Sequence, residues 1–320
     1  MRRLLLIVLG ATLVVACSGG GDGEDQAARS TAAATGTTAT TAAATTTTTI
    51  APKREITVLE PGKAPRAELR YRFKAGSDSR QRITYRQQLT QSIDGQEGAP
   101  VDVQYSVVLR NVVTAVAADG TADSTVTYEA VEAPPGVTLT DEQRTALQQI
   151  AAGLLGVTMS VRTDGRGAVT VTGSSQGAAG MEQATKAAGD LGTLLPVEAV
   201  GEGARWTQVA SSALAGIALE QSQTFRLAQV KGDRMTLVLE AASQKPLGPP
   251  TIPNLPSTAQ VEVQAWEVVA ADGQTVLDLI SGLSEGTSMT KIHQVIAVVD
   301  GDKRTALTQD VTLTVTMAPA

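Results

Sequence analysis

The chain has a single cysteine, Cys17, a single histidine, His293, and only 2% aromatic residues. One thiol excludes an intrachain disulfide and a structural zinc site built on cysteines. One imidazole confines any His-dependent catalytic set to the surroundings of His293. Two Trp, four Tyr and two Phe in 320 residues are poor stock for base-stacking platforms or for the aromatic girdles of a membrane barrel. Positive charge is also short. A net charge of −6 and a pI near 5.0 argue against nucleic acid as a partner, because phosphate binding needs concentrated Lys and Arg. What remains is 42% hydrophobic, enough to bury a core, over a length suited to one large or two ordinary domains.

Catalytic motifs are missing as well. There is no Gly-x-Ser-x-Gly elbow, no His-Glu-x-x-His and no phosphate loop. Gly173-Ser174-Ser175-Gln176-Gly177 lacks the Lys of a phosphate loop and reads as a loop with a helix N-cap. His293 alternates with Ile292 and reads as a polar-face strand residue. Asp residues fall mostly in turns, with no Asp-x-Asp-x-Asp-Gly calcium spacing. The expectation is a protein that is not an enzyme, with no cofactor, no metal and no catalytic residue.

The N-terminus carries the sharpest signal. Arg2 and Arg3 precede an apolar run of twelve residues, Leu4 to Val15. A span needs about 20 apolar residues, so this run suits a secretory signal instead. It closes with Val14-Val15-Ala16-Cys17, which resembles the lipobox of bacterial lipoproteins. That resemblance implies a signal peptide over 1–16, a diacylglyceryl group on the Cys17 thiol, and a membrane partner reached through that anchor. The implied location is the extracytoplasmic face of the bacterial cell membrane. Two acyl chains hold a protein stably where one does not. Loss of the leader arginines leaves the mature chain at −8, so acyl chains, not charge, must supply the anchoring.

Residues 17–52 read as a lipidated, disordered tether. Positions 30–49 hold eleven Thr and seven Ala, a composition that builds no core. A flexible chain of this length reaches roughly 30–35 Å on average. Thr-rich stretches of this kind suit either O-glycosylation or an unmodified spacer.

From residue 53 to 320 the pattern has period two and predicts one antiparallel β domain. Ile83, Tyr85 and Leu89 alternate with Thr84, Arg86 and Gln88. Leu219, Phe225 and Leu227 alternate with Glu220, Ser222 and Thr224, and Met235-to-Leu239 and Val311-to-Met317 continue the theme. Asp-Gly pairs at 94, 119, 164, 272 and 300, with Gly232-Asp233, read as hairpin turns. Residues 82–132, 205–242 and 275–317 form three meander-like units feeding one sheet.

Two segments depart from this pattern. Thr140-Asp141-Glu142-Gln143 reads as a capping box opening a helix near 141–155. Met181, Ala184, Ala188 and Leu191 mark a second near 176–195. The expected fold is mainly β: a large curved antiparallel sheet or half-barrel, with both short helices on its concave face as core filler or as a lid. Lys245 to Pro256 holds five prolines and reads as a crossover or a flap, because proline cannot donate to a ladder.

Residues 61–90 carry eight cations against Glu68 and Asp78. Arg70 and Arg72, alternating with Tyr71 and Phe73, share one face of an expected strand, joined by Arg82 and Arg86. This segment is either a solvated outer face or a contact for anionic headgroups or cell-wall polymer.

Leu195-Pro196 with Val200-Gly201-Glu202-Gly203-Ala204-Arg205-Trp206 resembles the Leu-Pro…Val-x-Gly-x-x-Trp stretch of an uncharacterised family of bacterial exported lipoproteins. Gly273 to Gly282 resembles a second stretch of that family, in which a strand ends in an Asp and a turn glycine. That family implies no activity. Architecture alone resembles the lipid-carrying half-barrel lipoproteins of the LolA/LolB and LppX/LprG group. The expected function is binding or carriage of a lipid or other amphiphile, with a filled-core envelope interaction module as the alternative.

Overall fold

A computed structural model describes residues 54–176, 193–214, 217–248, 255 and 258–320. Cys17, the leader and the Thr/Ala segment lie outside these residues. So do 177–192, on which most of the second expected helix falls.

Thirteen strands form one open antiparallel sheet. They are β1 (Arg54–Glu60), β2 (Asp78–Ile93), β3 (Gln96–Glu97), β4 (Val101–Val116), β5 (Ala122–Glu132), β6 (Thr158–Thr163) and β7 (Val169–Ser174). Then come β8 (Arg205–Leu214), β9 (Ile217–Lys231), β10 (Arg234–Pro246), β11 (Gln260–Asp278), β12 (Ser284–Asp300) and β13 (Lys303–Pro319). Across the sheet the order is β1-β8-β9-β10-β11-β12-β13-β2-β4-β5-β6-β7, with β3 as a short partner of β2. The N-terminal strand therefore joins the C-terminal meander at one edge, and β2 docks on the last strand, β13.

Alternation decides which face is buried, because paired residues in an antiparallel ladder project to the same side. Leu89, Val311 and Ile292 lie in one row across β2, β13 and β12 and are all buried. This inner face also carries Trp206, Leu227, Met235, Leu237 and Leu277, the centre of the largest apolar cluster.

The turns follow local chemistry. Asp94 and Gly95 both have positive φ, 50° and 79°, as a tight primed turn requires. Asp119-Gly120, Asp164-Gly165, Gly232-Asp233 and Asp300-Gly301 also lie at strand ends. Asp272-Gly273 does not: it sits inside β11, paired with Met289 and Ser288. The glycine is needed there because a Cβ would stand 2.8 Å from the Ser288 Cα. The β11–β12 turn comes later. There the Asp278 carboxylate accepts from the Ile280 and Ser281 N–H groups, both at 2.9 Å, and Gly282 takes a φ of 73°.

The single helix among the described residues, α1 (Asp141–Leu154), begins as expected. Thr140 Oγ1 accepts from the Gln143 N–H while the Gln143 side chain accepts from the Thr140 N–H. Ile150, Leu147 and Leu154 lay one stripe against Tyr105, Tyr128 and Val107 on the inner face. Burial pushes the Tyr105 hydroxyl up to about 12. No described helix is long and apolar enough to cross a membrane.

Arg70 to Phe73, whose alternation predicts a strand, lie on none. The Tyr71 N–H donates to Gly165 O and the Arg72 N–H to Leu279 O, so this backbone bridges two turns instead of joining a ladder. Tyr71 and Phe73 stack at 5.4 Å with nearly parallel rings. Arg70 reaches Pro196 O at 2.9 Å, while Arg72 pairs with Asp233. The alternation in sequence is real, yet it serves a connection laid across the core.

Candidate ligand cleft

The sheet parts between β10 and β11. Their pairing runs from Arg234–Asp278 to Leu239–Gly273 and ends there. Beyond it β10 continues against β9 as far as Pro246, and β11 runs back against β12 to Gln260. The registers show why the two strands part. β9–β10 shifts between Leu239 and Ala241, and β11–β12 shifts between Val263 and Ala265 and again between Val268 and Ala270. Each irregularity bends its strand and increases its twist. Pro246, which has no N–H to give, closes β10, and the Leu247 N–H adds one last bond to Ala218 O at 2.8 Å.

A cleft of about 510 Å3 occupies this fork. Pro246, Leu247 and Gly248 line one side, and Val263, Gln264, Ala265 and Trp266 the other. Trp266 reaches over it, donating its Nε1–H to Gln244 Oε1 at 3.1 Å. Trp266 also pairs in register with Gln294. From there a row of amides runs inward: Gln294 Nε2 donates to Gln309 Oε1, and Gln309 Nε2 to Gln91 Oε1 at 3.3 Å. Gln294 and Gln309 are buried, and their mutual hydrogen bonds satisfy amides that would otherwise be costly to bury.

Behind the cleft the interior is filled. Leu219 of β9 packs with Ile296 of β12 and Leu307 of β13, joined by Trp266 and Val261. Leu219 and Ile296 are both 0% exposed. The fork thus brings Leu219 of β9 onto the inner face of β12 and β13.

The residues flagged in sequence are not gathered here. Cys17 lies outside the described residues. His293 stands on the outer face, with Nδ1 2.9 Å from Asp310 Oδ1. The arginines of 61–90 are largely met by acids: Arg70 by Glu68, Arg80 by Glu129, Arg82 by Glu132 and Arg86 by Asp102. Arg66 donates to Gly62 O. The Leu-Pro…Trp stretch builds core: Leu195, Val200, Ala204 and Trp206 are buried together. Sequence reasoning did not single out Trp266 or Gln244. Their one signal was a tryptophan in an otherwise alternating strand, which core packing explains equally well.

Comparison with protein-family models, curated proteins and solved structures finds no match.

Proposed function

We propose that this chain is a cell-envelope lipoprotein, held by an acylated Cys17 at the extracytoplasmic face of the membrane, which binds an amphiphile in the β10–β11 cleft without catalysing a reaction. In this reading the sheet is a half-barrel, the second helix forms near 176–195 on its concave face, and residues 17–52 are the tether. The observation that carries the proposal is the fork itself: two neighbouring strands part to leave an open cleft lined by Pro246, Leu247, Val263 and Trp266 together with the exposed amide of Gln264. Small-molecule sites are commonly concave and mostly apolar, with a few placed polar groups, and each methylene buried there contributes about 0.8 kcal/mol.

A second reading, an envelope interaction module acting through its surface, is favoured by the filled interior around Leu219 and Ile296. Native mass spectrometry separates the two. The full chain carrying Cys17→Ser, which has no acyl group of its own, is purified from a bacterial periplasm and extracted with organic solvent. Excess mass that extracts as lipid supports amphiphile binding. A bare mass, unchanged after incubation with envelope lipids, overturns it in favour of the module. Wild-type chain in the membrane fraction and Cys17→Ser in the soluble fraction is the result expected for the anchor.

A further inference from the structure

The strand registers sort charge with unusual completeness. Going from β8 round to β7, the inner face of the described residues carries no Asp, Glu, Lys or Arg between the strand ends. The charged residues that share its parity stand at the margins: Arg54 on edge strand β1, and Asp300 and Lys303 beside the β12–β13 turn. The cleft lining follows the same rule, with no charged side chain in it. Cations on the strands around the cleft turn outward, Lys245 opposite Glu220 and Arg304 3.0 Å from Glu262.

The same face is not purely apolar. The amides of Gln244, Gln294, Gln309 and Gln91 are engaged with Trp266 or with one another, and the carboxamide open to the cleft is that of Gln264, exposed on its lining. A carboxamide both donates and accepts, so it suits hydroxyls and other amides. It offers no counter-charge to an anion. The cleft is open to solvent, so a phosphate or carboxylate seated on it would lose part of its hydration and meet no cation on the lining to replace that part.

We infer, resting on the amphiphile reading above, that the ligand's polar part is uncharged and bears hydroxyl or amide groups, and that the charge-free lining rejects anionic headgroups. The test uses the full chain with Cys17→Ser and two single-chain lipids with the same dibrominated acyl group. One is a neutral monoacylglycerol and the other an anionic lysophosphatidylglycerol. Bromine quenches tryptophan on close contact, and Trp266→Phe identifies the share owed to that indole.

The monoacylglycerol is expected to quench Trp266 at about tenfold lower concentration than the anionic lipid, the discrimination an unpaired charge imposes. Equal or stronger quenching by lysophosphatidylglycerol overturns this inference and leaves amphiphile binding standing. No quenching by either lipid removes amphiphile binding and this inference with it. Gln264→Lys supplies a second arm. Gln264 is exposed on the lining, so the new cation leaves the fold intact. It is expected to strengthen the anionic lipid several-fold relative to the neutral one. No gain for the anion would show that the missing charge does not set the preference.

Discussion

The Trp266 indole donates across the fork to Gln244 Oε1 at 3.1 Å, joining β10 and β11 several residues beyond the end of their backbone ladder. This side-chain contact replaces the ladder bonds that the strands no longer share. Gln244→Ala removes the acceptor and leaves the indole N–H to find water. The expected cost is about 1 kcal/mol in urea denaturation, with a red-shifted Trp266 emission and faster amide exchange in residues 260–266. Unchanged emission and exchange would show that the strands are held apart and together by backbone alone.

Gly201 is fixed by a close approach of two backbones. A Cβ there would lie 1.9 Å from Lys63 O, and Lys63 N in turn donates to Glu202 O at 2.9 Å. The segment after β1 is thus pressed against the segment before β8, over a cluster containing Trp206 and Val200. Gly201→Ala is expected to cost more than about 3 kcal/mol, since main-chain atoms must move and the core beneath them loosens. Gly120→Ala is the control. Its Cβ meets nothing within 4 Å and only the positive φ of 84° resists, so about 1 kcal/mol is expected. Thermal melting of both variants distinguishes the two causes.

Much of this architecture was legible because it is local. Ile83, Tyr85 and Leu89 announce a half-buried strand by spacing alone, and Thr140 with Gln143 announces a helix start through two reciprocal hydrogen bonds three residues apart. Asp272-Gly273 was misread because turn chemistry and close packing call for the same residue. Only the position of Ser288, fifteen residues away, tells the two apart. The fork was illegible for a related reason. It arises from register shifts on two different strand pairs, and no residue type marks a shift. Tyr71 and Phe73 show the limit of periodicity: alternation marks an extended backbone, not a ladder partner.

Helix α1 is attached lightly. Ile150 is its one buried side chain, and the cap bonds at Thr140 are exposed. Thr140→Ala is expected to cost about 1 kcal/mol of helix stability, and Ile150→Ala about 2–5 kcal/mol. Both losses should appear as hydrogen exchange confined to residues 141–155, with β12 and β13 still protected. Global unfolding of Ile150→Ala would show instead that α1 and the sheet form one cooperative unit.

Asp278 gives the β11–β12 turn a pH dependence of known sign. Partial burial pushes its carboxyl up, but N–H donors from Ser281 and Ile280 outweigh this and hold it below the ordinary carboxylate value. A group depressed in the folded state stabilises fully above its unfolded pKa, near 4, and its contribution fades as pH falls through the folded value. Asp278→Asn keeps an oxygen acceptor and loses the charge. The wild-type advantage over Asp278→Asn should therefore be largest near neutrality and shrink below about pH 4, measured as the difference in urea midpoint at each pH. A difference that stays constant across this range would mean that the carboxylate's ionisation adds nothing to the turn, and that its geometry alone holds Gly282 in place.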